Sequence, residues 1–454
     1  MSEVHQKAKG HTPERFSGLV QTLSPGVKRR EFWGWAFYDF ANSGYTTVVL
    51  TTVFNTYFVS VVAAGQPWST LALTAALSLS YLAVMLTMPF LGAYADARQR
   101  KRRVLFFSTA GCICATAFLA MVGPGMVWPA LLILAVSNYF YCVGESVVAA
   151  FLPELARPES LGRVSGWGWG FGYFGGMLAL GLSLVLASVA SASGLDASAY
   201  VPWVMLLTAC LFAVCAIPAF LFLKERSPAT HRRRPSPWQQ LSASWFDIYH
   251  HFPDFLRLLV CGAFYQAGIS VVITLAAVYA TEAMGFSMQQ TMLLVFVVNI
   301  AAAAGALAFG HAQDQIGHKK ALAITLVVWM LMVILAWLAT QVWVFWLAAV
   351  LAGLCMGTSQ SAGRAMVGAM APAGRLAEFY ALWTFAIQLA AVVGPFSYGL
   401  VTWLTDGNHR QALLCTGAFF VAGFWVLQKI DFAHGVQLSD TCRIVNNSAN
   451  SRER

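Results

Sequence analysis

The chain has 454 residues, of which 58% are hydrophobic and 10% are charged. Soluble globular proteins carry about 25% charged residues, so this composition cannot cover a water-facing surface and excludes a soluble globular protein. The net charge of +9 would suggest nucleic acid as a partner, but the basic residues are placed as in a membrane protein.

Twelve apolar stretches follow one another along the chain, each close to the roughly 20 residues that a helix needs to cross a bilayer. We expect an all-α membrane protein with an N-terminal six-helix half at 34–223 and a C-terminal six-helix half at 256–430. A polar, basic tail at 1–33 precedes the first half, without the short apolar core of a signal peptide. A linker at 224–255 joins the halves, and a second tail covers 431–454. The predicted transmembrane helices, spans 1 to 12, cover 34–62, 71–94, 103–122, 127–152, 165–189, 200–223, 256–281, 289–311, 319–340, 342–370, 377–402 and 411–430.

The Lys and Arg residues mark one side of the membrane. Of the 28, all but two lie in or beside the two tails, the linker and the loops after spans 2, 4, 8 and 10. The exceptions are Arg410, in a loop on the other side, and Arg364, well inside a span. Because cytoplasmic loops carry an excess of Lys and Arg, both termini are expected in the cytoplasm, which requires an even number of spans.

The linker contains a basic segment followed by a predicted short helix. Pro237 after Ser236 is typical of a helix start, and the apolar residues that follow share one helical face. We expect this helix to lie on the inner membrane surface and to brace the two halves; a regulatory role is the alternative. The apolar face comprises Trp238, Leu241, Trp245, Ile248 and Tyr249.

Two short loops, after spans 2 and 8, have the same Gly–Asp–basic pattern at a constant offset of 218 residues. Weak internal repeats are typical of transporter folds. The Gly permits close helix packing, and the Asp can pair with Arg or accept from a helix N-terminus. We expect a gate whose contacts bias inward- and outward-facing states; a purely topological role is the alternative. The predicted gate residues are Gly92, Asp96, Arg102, Gly310, Asp314 and Lys320.

The loop pattern and the twelve spans resemble the major facilitator superfamily, whose fold has two six-helix halves and a central cytoplasmic linker. Segment 35–45 reads Trp-Ala-Phe-Tyr-Asp-Phe-Ala-Asn-Ser-Gly-Tyr, and segment 162–169 reads Gly-Arg-Val-Ser-Gly-Trp-Gly-Trp. With Glu378-Phe379-Tyr380 and Gly394-Pro395, these segments resemble the branch of the autophagy-related vacuolar amino-acid effluxers and their bacterial relatives, over nearly the whole chain. The resemblance implies solute transport, including export of amino acids, across a bacterial inner membrane. It also implies a central cavity between spans 1, 4, 7 and 10.

Three ionisable side chains lie inside predicted spans, where charges are costly and usually functional: Asp39, Glu145 and Arg364. Glu145 and Arg364 each lie eight residues before a proline, Pro153 and Pro372, at equivalent places in the two halves. The planar Arg guanidinium can bind both oxygens of a carboxylate. We hypothesise that Glu145 and Arg364 bind the amine and carboxylate of a zwitterion, or pair with each other when the cavity is empty. A permanent structural ion pair is the alternative.

Polar neighbours complete the predicted substrate-binding or coupling site: Asp39, Asn42, Tyr45, Glu145, Gln360 and Arg364. Asp39 is a candidate proton site, with a structural pair to a loop Arg as the alternative. No His lies deep in a predicted span, so proton coupling would use Asp39 or Glu145. The nine Cys are scattered without a C-x-x-C pair, and we find no nucleotide-binding loop or activated nucleophile. We therefore expect no metal, no cofactor and no enzymatic activity.

Span 5 begins with two rows of glycines at spacings of four, which permit close helix contact. We expect these rows to serve packing; the alternative is that the interleaved Trp167, Trp169 and Tyr173 line a substrate path. The rows are Gly162, Gly166 and Gly170, and Gly168, Gly172 and Gly176.

Together these features predict a secondary active transporter that moves a small polar or zwitterionic solute by alternating access. Its expected partners are the solute, membrane lipids and, as a candidate coupling ion, protons, but not nucleic acid. Two alternatives remain open. One is a lipid or amphiphile translocase, which would have a more apolar cavity, and the other is a non-transporting receptor of transporter fold.

Overall fold

The computed structural model describes residues 17–66, 68–226, 246–282, 284–286 and 288–441. Within these ranges, twelve helices are long and apolar enough to cross a membrane, which confirms the predicted all-α fold. The helices of spans 7 and 8 extend over Pro253–Glu282 and Met288–Ile316. The spans are Arg29–Val62, Ser69–Ala97, Lys101–Met121, Val127–Leu155, Pro158–Ala192, Ala197–Phe222, Pro253–Thr274, Leu293–Ile316, His318–Leu338, Val342–Met370, Leu376–Leu404 and His409–Gln428.

The predicted boundaries differ from the observed ones mainly at polar helix ends. Span 5 begins at Pro158 instead of 165, and the helix of span 8 ends at Ile316 instead of 311. Hydropathy underestimates these ends because their polar residues are helical and pack against the opposite half. Further helices form within the predicted tails, at Ser17–Thr22 and at 432–441.

Most of the predicted linker helix, including Trp238, Leu241 and Trp245, lies outside the described residues. Residues 246–251 are helical. Ile248 is fully buried in the core of the C-terminal half, whereas Tyr249 is 66% exposed. The prediction that these two residues share one membrane-facing side is therefore wrong, because Ile248 packs inward against the bundle.

Each half has its own apolar core. One core extends from Leu23 to Leu223, and the other from Ile248 to Ile430. A few small side chains belong to the core of the opposite half: Ala95, Ala149 and Ala150 join the C-terminal core, and Ala365 and Ala381 join the N-terminal core. These alanines lie near the loops after spans 2, 4 and 10. We call this side of the bundle, where those loops meet the described linker residues, the linker end; the two halves approach each other closely there.

Span 1 is not one continuous α-helix. An α-helix at Arg29–Tyr45 is followed by a π-helix at Thr46–Thr52, an α-helical turn at Val53–Tyr57 and a second π-helix at Phe58–Val62. The hydroxyls of Thr51 and Thr52 both donate to the Thr47 carbonyl, at 2.8 and 2.5 Å. Since π-helical turns are rare and occur frequently at functional sites, the first π-helix marks this part of span 1 as a candidate functional segment.

The glycine rows of span 5 contact two different helices. A Cβ added at Gly166 would collide with the backbone carbonyl of Ala306 in span 8, and one at Gly168 would lie 2.6 Å from an Asp39 carboxylate oxygen in span 1. This confirms the predicted close packing and shows that the two rows pack against different helices. The row that contains Gly166 joins the two halves, and the row that contains Gly168 holds span 1 against span 5. Trp169 and Tyr173, however, also line the central cavity.

Replacing Gly166 by Ala should weaken the contact between the halves, because the helix backbone around Ala306 cannot move aside easily. We expect a loss of about 1–3 kcal/mol of stability, measured as a lower melting temperature of the full-length protein in detergent. Gly181→Ala in the same helix is the control, since its new Cβ would meet nothing within 4 Å. Equal melting temperatures for the two variants would contradict the packing role.

Candidate functional site

A cavity of about 470 Å³ lies between the two halves, within the size range of small-molecule sites. Spans 1, 4, 7 and 10 all contribute to its wall, as the resemblance implies. The N-terminal half supplies mostly polar side chains, and the C-terminal half supplies mostly apolar ones. The polar set includes Asn42, Ser43, Tyr81, Asn138, Tyr141 and Glu145, and the apolar set includes Ile269, Val271, Leu294, Met332 and Phe345.

Arg364 is held at the cavity wall by several contacts. Its Nη1 donates to Asp39 Oδ2 at 2.7 Å, forming a buried ion pair between spans 10 and 1. Its Nε donates to the Ser165 hydroxyl at 3.1 Å, and its Nη2 donates to the Ser165 carbonyl at 2.9 Å. The guanidinium also lies 4.7 Å from the ring centroid of Trp35 and 5.3 Å from that of Trp169, a distance at which cation–π attraction is significant.

The expected pair between Glu145 and Arg364 does not form in this structure. Asp39, and not Glu145, is the anionic partner of Arg364. The partner of Asp39 is thus an Arg inside the bundle and not a loop Arg. Equivalent sequence positions set the depth of two residues in their helices but not the direction in which each helix turns them. Gly168 provides the remaining reason, since only a residue without a Cβ leaves room for the Asp39 carboxylate.

Glu145 lines the same cavity from span 4, where it faces the Tyr141 hydroxyl. Among the residues that the structure describes, Glu145 forms no ion pair. Of the two carboxylates that line the cavity, Glu145 is therefore the one without an ion-pair partner in the described part of the chain.

The other predicted site residues fall into two groups. Asn42 and Gln360 line the cavity; Gln360 accepts from Gln266 Nε2 at 2.9 Å, while the buried Asn42 Oδ1 has no hydrogen-bond partner in the described part of the chain. Tyr45 does not line the cavity. Its hydroxyl bonds to Ser137 at 2.7 Å, and its ring stacks on Tyr141 at 5.0 Å, because its helical position turns it toward span 4.

Sequence reasoning missed several residues that hold the site together. Ser165 accepts two of the hydrogen bonds that Arg364 donates, and Gln266 positions Gln360. The sequence indicated Trp35 only as part of a family motif. It indicated Trp169 as part of another motif segment and as a candidate to line a substrate path. A lone Ser or Gln in an apolar span is a weak signal, because most such residues bond to their own helix.

At the linker end, both repeat loops contact the first turn of a helix in the opposite half. Asp96 Oδ2 accepts from the Glu378 amide of span 11 at 2.9 Å. Asp314 Oδ1 and Oδ2 accept from the Gly162 and Arg163 amides of span 5 at 2.8 and 3.0 Å. Carboxylates are stabilised at helix N-termini by the helix dipole, so these matched contacts hold the two halves together.

The predicted gate glycines lie at the same contacts. A Cβ added at Gly92 would meet Ala377 next to the Asp96 contact, and one added at Gly310 would lie 2.9 Å from the Gly162 carbonyl. The basic members of the predicted gate do not cross between the halves. Arg102 donates to the Phe220 carbonyl at 2.5 Å within the N-terminal half, and Lys320 is exposed. Long basic side chains here extend toward water, which suits the topological role.

Arg375 connects the linker to this contact. Its Nε and Nη2 donate to the Glu378 carboxylate at 2.8 and 2.6 Å, and its Nη1 pairs with Asp247 in the linker. Burial lowers the pKa of Arg375, but the Glu378 and Asp247 carboxylates outweigh it and hold the pKa above its ordinary value. Because the Glu378 amide binds Asp96, the described end of the linker is connected through Arg375 and Glu378 to this contact between the halves.

Two family models match the chain. The model of the Major Facilitator Superfamily matches residues 32–264, and this chain, with twelve spans in two halves, belongs to that superfamily of transporters. Within it, the model described as "Vacuole effluxer Atg22 like" matches residues 159–438. The chain therefore belongs to the Atg22-like family.

Individual relatives agree with this assignment. The uncharacterized MFS-type transporter YxiO of Bacillus subtilis (strain 168) is 25% identical over 405 residues, which cover 87% of this chain and 93% of that protein. Autophagy-related protein 22-1 of Aspergillus fumigatus is 22% identical over 267 residues, which cover 53% of this chain and 43% of that protein.

Solved structures share the fold. The human organic anion transporter MFSD10 (TETRAN) superposes with a TM-score of 0.71 at 17% identity, covering 88% of this chain and 99% of that one. A bacterial homologue of the iron transporter ferroportin in the outward-facing state gives a TM-score of 0.68 at 16% identity, with coverages of 88% and 99%.

Replacing Asp39 by Asn should leave the Arg364 guanidinium buried beside a neutral side chain. Removing one partner of a buried ion pair costs about 3–5 kcal/mol, so the melting temperature and the yield of folded protein should fall. The double variant Asp39→Asn/Arg364→Gln removes the orphaned charge and should recover part of the loss. A single variant as stable as the native protein would show that the pair does not support the fold.

Proposed function

We propose that this protein is a secondary active transporter that moves a small polar or zwitterionic solute by alternating access. It works in a bacterial inner membrane, with the linker end and both termini on the cytoplasmic side. The observation that carries the proposal is a cavity between the halves that is sealed at one end by two matched Asp–amide contacts. The matched family is described as a vacuole effluxer, which favours export as the direction.

The nature of the sealing contacts supports a reversible gate. Each consists of a carboxylate at a helix N-terminus, and such a contact contributes about 0.3–2 kcal/mol. Contacts of this size can break during a transport cycle, whereas a continuous apolar interface could not separate easily. In the proposed cycle, breaking both contacts would open the cavity to the cytoplasm.

The cavity residues support a solute with an amino group. Glu145 offers a carboxylate that forms no ion pair with any residue the structure describes, and Asn42 and Gln360 offer neutral polar groups. Arg364 is engaged by Asp39 and Ser165, so a solute carboxylate would reach it only by displacing Asp39. Protons are a candidate coupling ion, with Asp39 and Glu145 as the groups that would accept them.

A second function is favoured by the C-terminal wall of the cavity. Ile269, Leu294, Met332 and Phe345 present apolar surface to the same space. This feature agrees with the alternative of an amphiphile translocase, because an amphiphile would place its polar head near Glu145 and its apolar part against this wall.

Transport by the purified full-length protein in liposomes tests the proposal. Liposomes preloaded with a mixture of unlabelled amino acids should take up labelled amino acid by counterflow, and the uptake should saturate. Uptake of a labelled amphiphile in place of amino acids would favour the second function. Solute-dependent thermal stabilisation without flux of any solute would favour a receptor, and a rate indifferent to an imposed pH gradient would exclude proton coupling.

Replacing Asp96 or Asp314 by Asn should lower the population of the sealed state by roughly 2- to 30-fold, the range that one charge at a helix N-terminus supports. The transport rate should change accordingly. Asp406→Asn is the matched control, because Asp406 is exposed, lies in the loop after span 11 and has a positive φ that Asn tolerates. If all three variants transport at the native rate, the repeat loops determine topology only.

A further inference from the structure

Three charged side chains line the cavity in the described part of the protein: Asp39, Glu145 and Arg364. Asp39 and Arg364 neutralise each other across 2.7 Å. Glu145 has no such partner among the described residues. The wall therefore presents one uncompensated acidic group. A buried carboxylate is costly without a cation beside it, so a cationic ligand would supply the partner that the protein does not.

The surroundings of Glu145 also suit a cation. Tyr81 and Tyr141 line the cavity near this carboxylate. Aromatic faces attract organic and ammonium cations, and phenol oxygens can accept from an ammonium N–H. The aromatic rings of Trp169 and Tyr173, which also line the cavity, have centroids 6.0 Å apart.

An anionic group would find no equivalent place. The Arg364 guanidinium donates hydrogen bonds to Asp39 and Ser165. Its faces contact the rings of Trp35 and Trp169. A ligand carboxylate approaching Arg364 would meet the like charge of Asp39 at the same time. Carboxylate recognition would thus cost the protein its own ion pair.

The opposite wall is apolar and would contact the rest of the ligand. Val271, Leu294, Met332 and Phe345 come from four spans of the C-terminal half and line the same space. Burying an apolar group the size of a Leu or Phe side chain contributes about 1.5–3 kcal/mol. A ligand with an apolar body should therefore bind more tightly than a bare ammonium ion.

We propose that the cavity selects an organic cation with an apolar body, and that Glu145 is the counter-charge that binds its ammonium group. This inference rests on the proposed transport function and changes its expected substrate from a zwitterion to a cation, since a carboxylate on the solute becomes unnecessary and unfavourable.

A matched series of probes tests this selectivity on the purified full-length protein by titration calorimetry. Phenylethylammonium, phenylalanine and 3-phenylpropionate share one aromatic body and differ in charge. We expect phenylethylammonium to bind most tightly, phenylalanine less tightly and 3-phenylpropionate least. Methylammonium should bind about tenfold or more weakly than phenylethylammonium, because it lacks the apolar body.

Variants identify the counter-charge. Glu145→Gln should weaken phenylethylammonium binding by about tenfold or more, the usual range for one bond to a charged group, while Glu145→Asp keeps the charge and should retain part of the affinity. Glu159→Gln, a surface change of the same chemistry, should leave binding unchanged. Circular dichroism melting of each variant, compared with the native protein, verifies that the variants are folded.

Three results would overturn the inference: binding of 3-phenylpropionate or phenylalanine as tight as that of phenylethylammonium, native affinity in folded Glu145→Gln, or no binding of phenylethylammonium at all. The binding inference and the transport proposal can fail independently. The expected binding order without flux in liposomes would contradict transport and support the cation site. Counterflow together with one of the three results would support transport and contradict the cation site.

Discussion

A charged side chain inside a membrane-spanning bundle must be neutralised, and much of this structure follows from how Arg364 is neutralised. Its ion pair with Asp39 joins span 10 to span 1, and its bonds to Ser165 add span 5. The pair needs a glycine at position 168, where any side chain would displace the Asp39 carboxylate. Charges in membranes are expensive when isolated, so the contact between these three helices is specified in a way that apolar packing alone cannot achieve.

The same ion pair determines the chemistry of the cavity. Because Asp39 is paired with Arg364, Glu145 is the cavity carboxylate that forms no ion pair among the described residues. Two halves built on one scaffold thus differ in charge at an equivalent position. The scaffold itself repeats closely. Asp96 and Asp314 make the same kind of contact, and the loops that contain them each turn through a left-handed residue at the same place, Gln99 with φ 52° and Gly317 with φ 91°.

Much of the fold could be predicted from the sequence, because a bilayer imposes a simple rule on length and apolarity. The repeat loops were equally visible, since Asp96 and Asp314 lie at one offset, and their contact with helix N-termini follows from the charge of a carboxylate. The partner of Arg364 could not be predicted. Helix rotation depends on packing against neighbours, and the glycines of span 5 that set this rotation allow more than one arrangement. Tyr45 was misplaced for the same reason. Arg102 was misplaced because a long, flexible side chain can reach several partners, and this one donates to the Phe220 carbonyl of its own half.

The π-helix at Thr46–Thr52 has a consequence for how span 1 tolerates change. A turn closed by i→i+5 bonds contains one residue more than an α-helical turn, and each added residue rotates the chain beyond it by about 100°. The stretch that holds Asp39 and the stretch beyond Thr52 are therefore in different rotational registers. Deleting a single residue between them would turn the outer part of span 1 to another face while Asp39 stayed in place. In this segment the number of residues matters more than their identity, so we expect length to be the property that selection preserves.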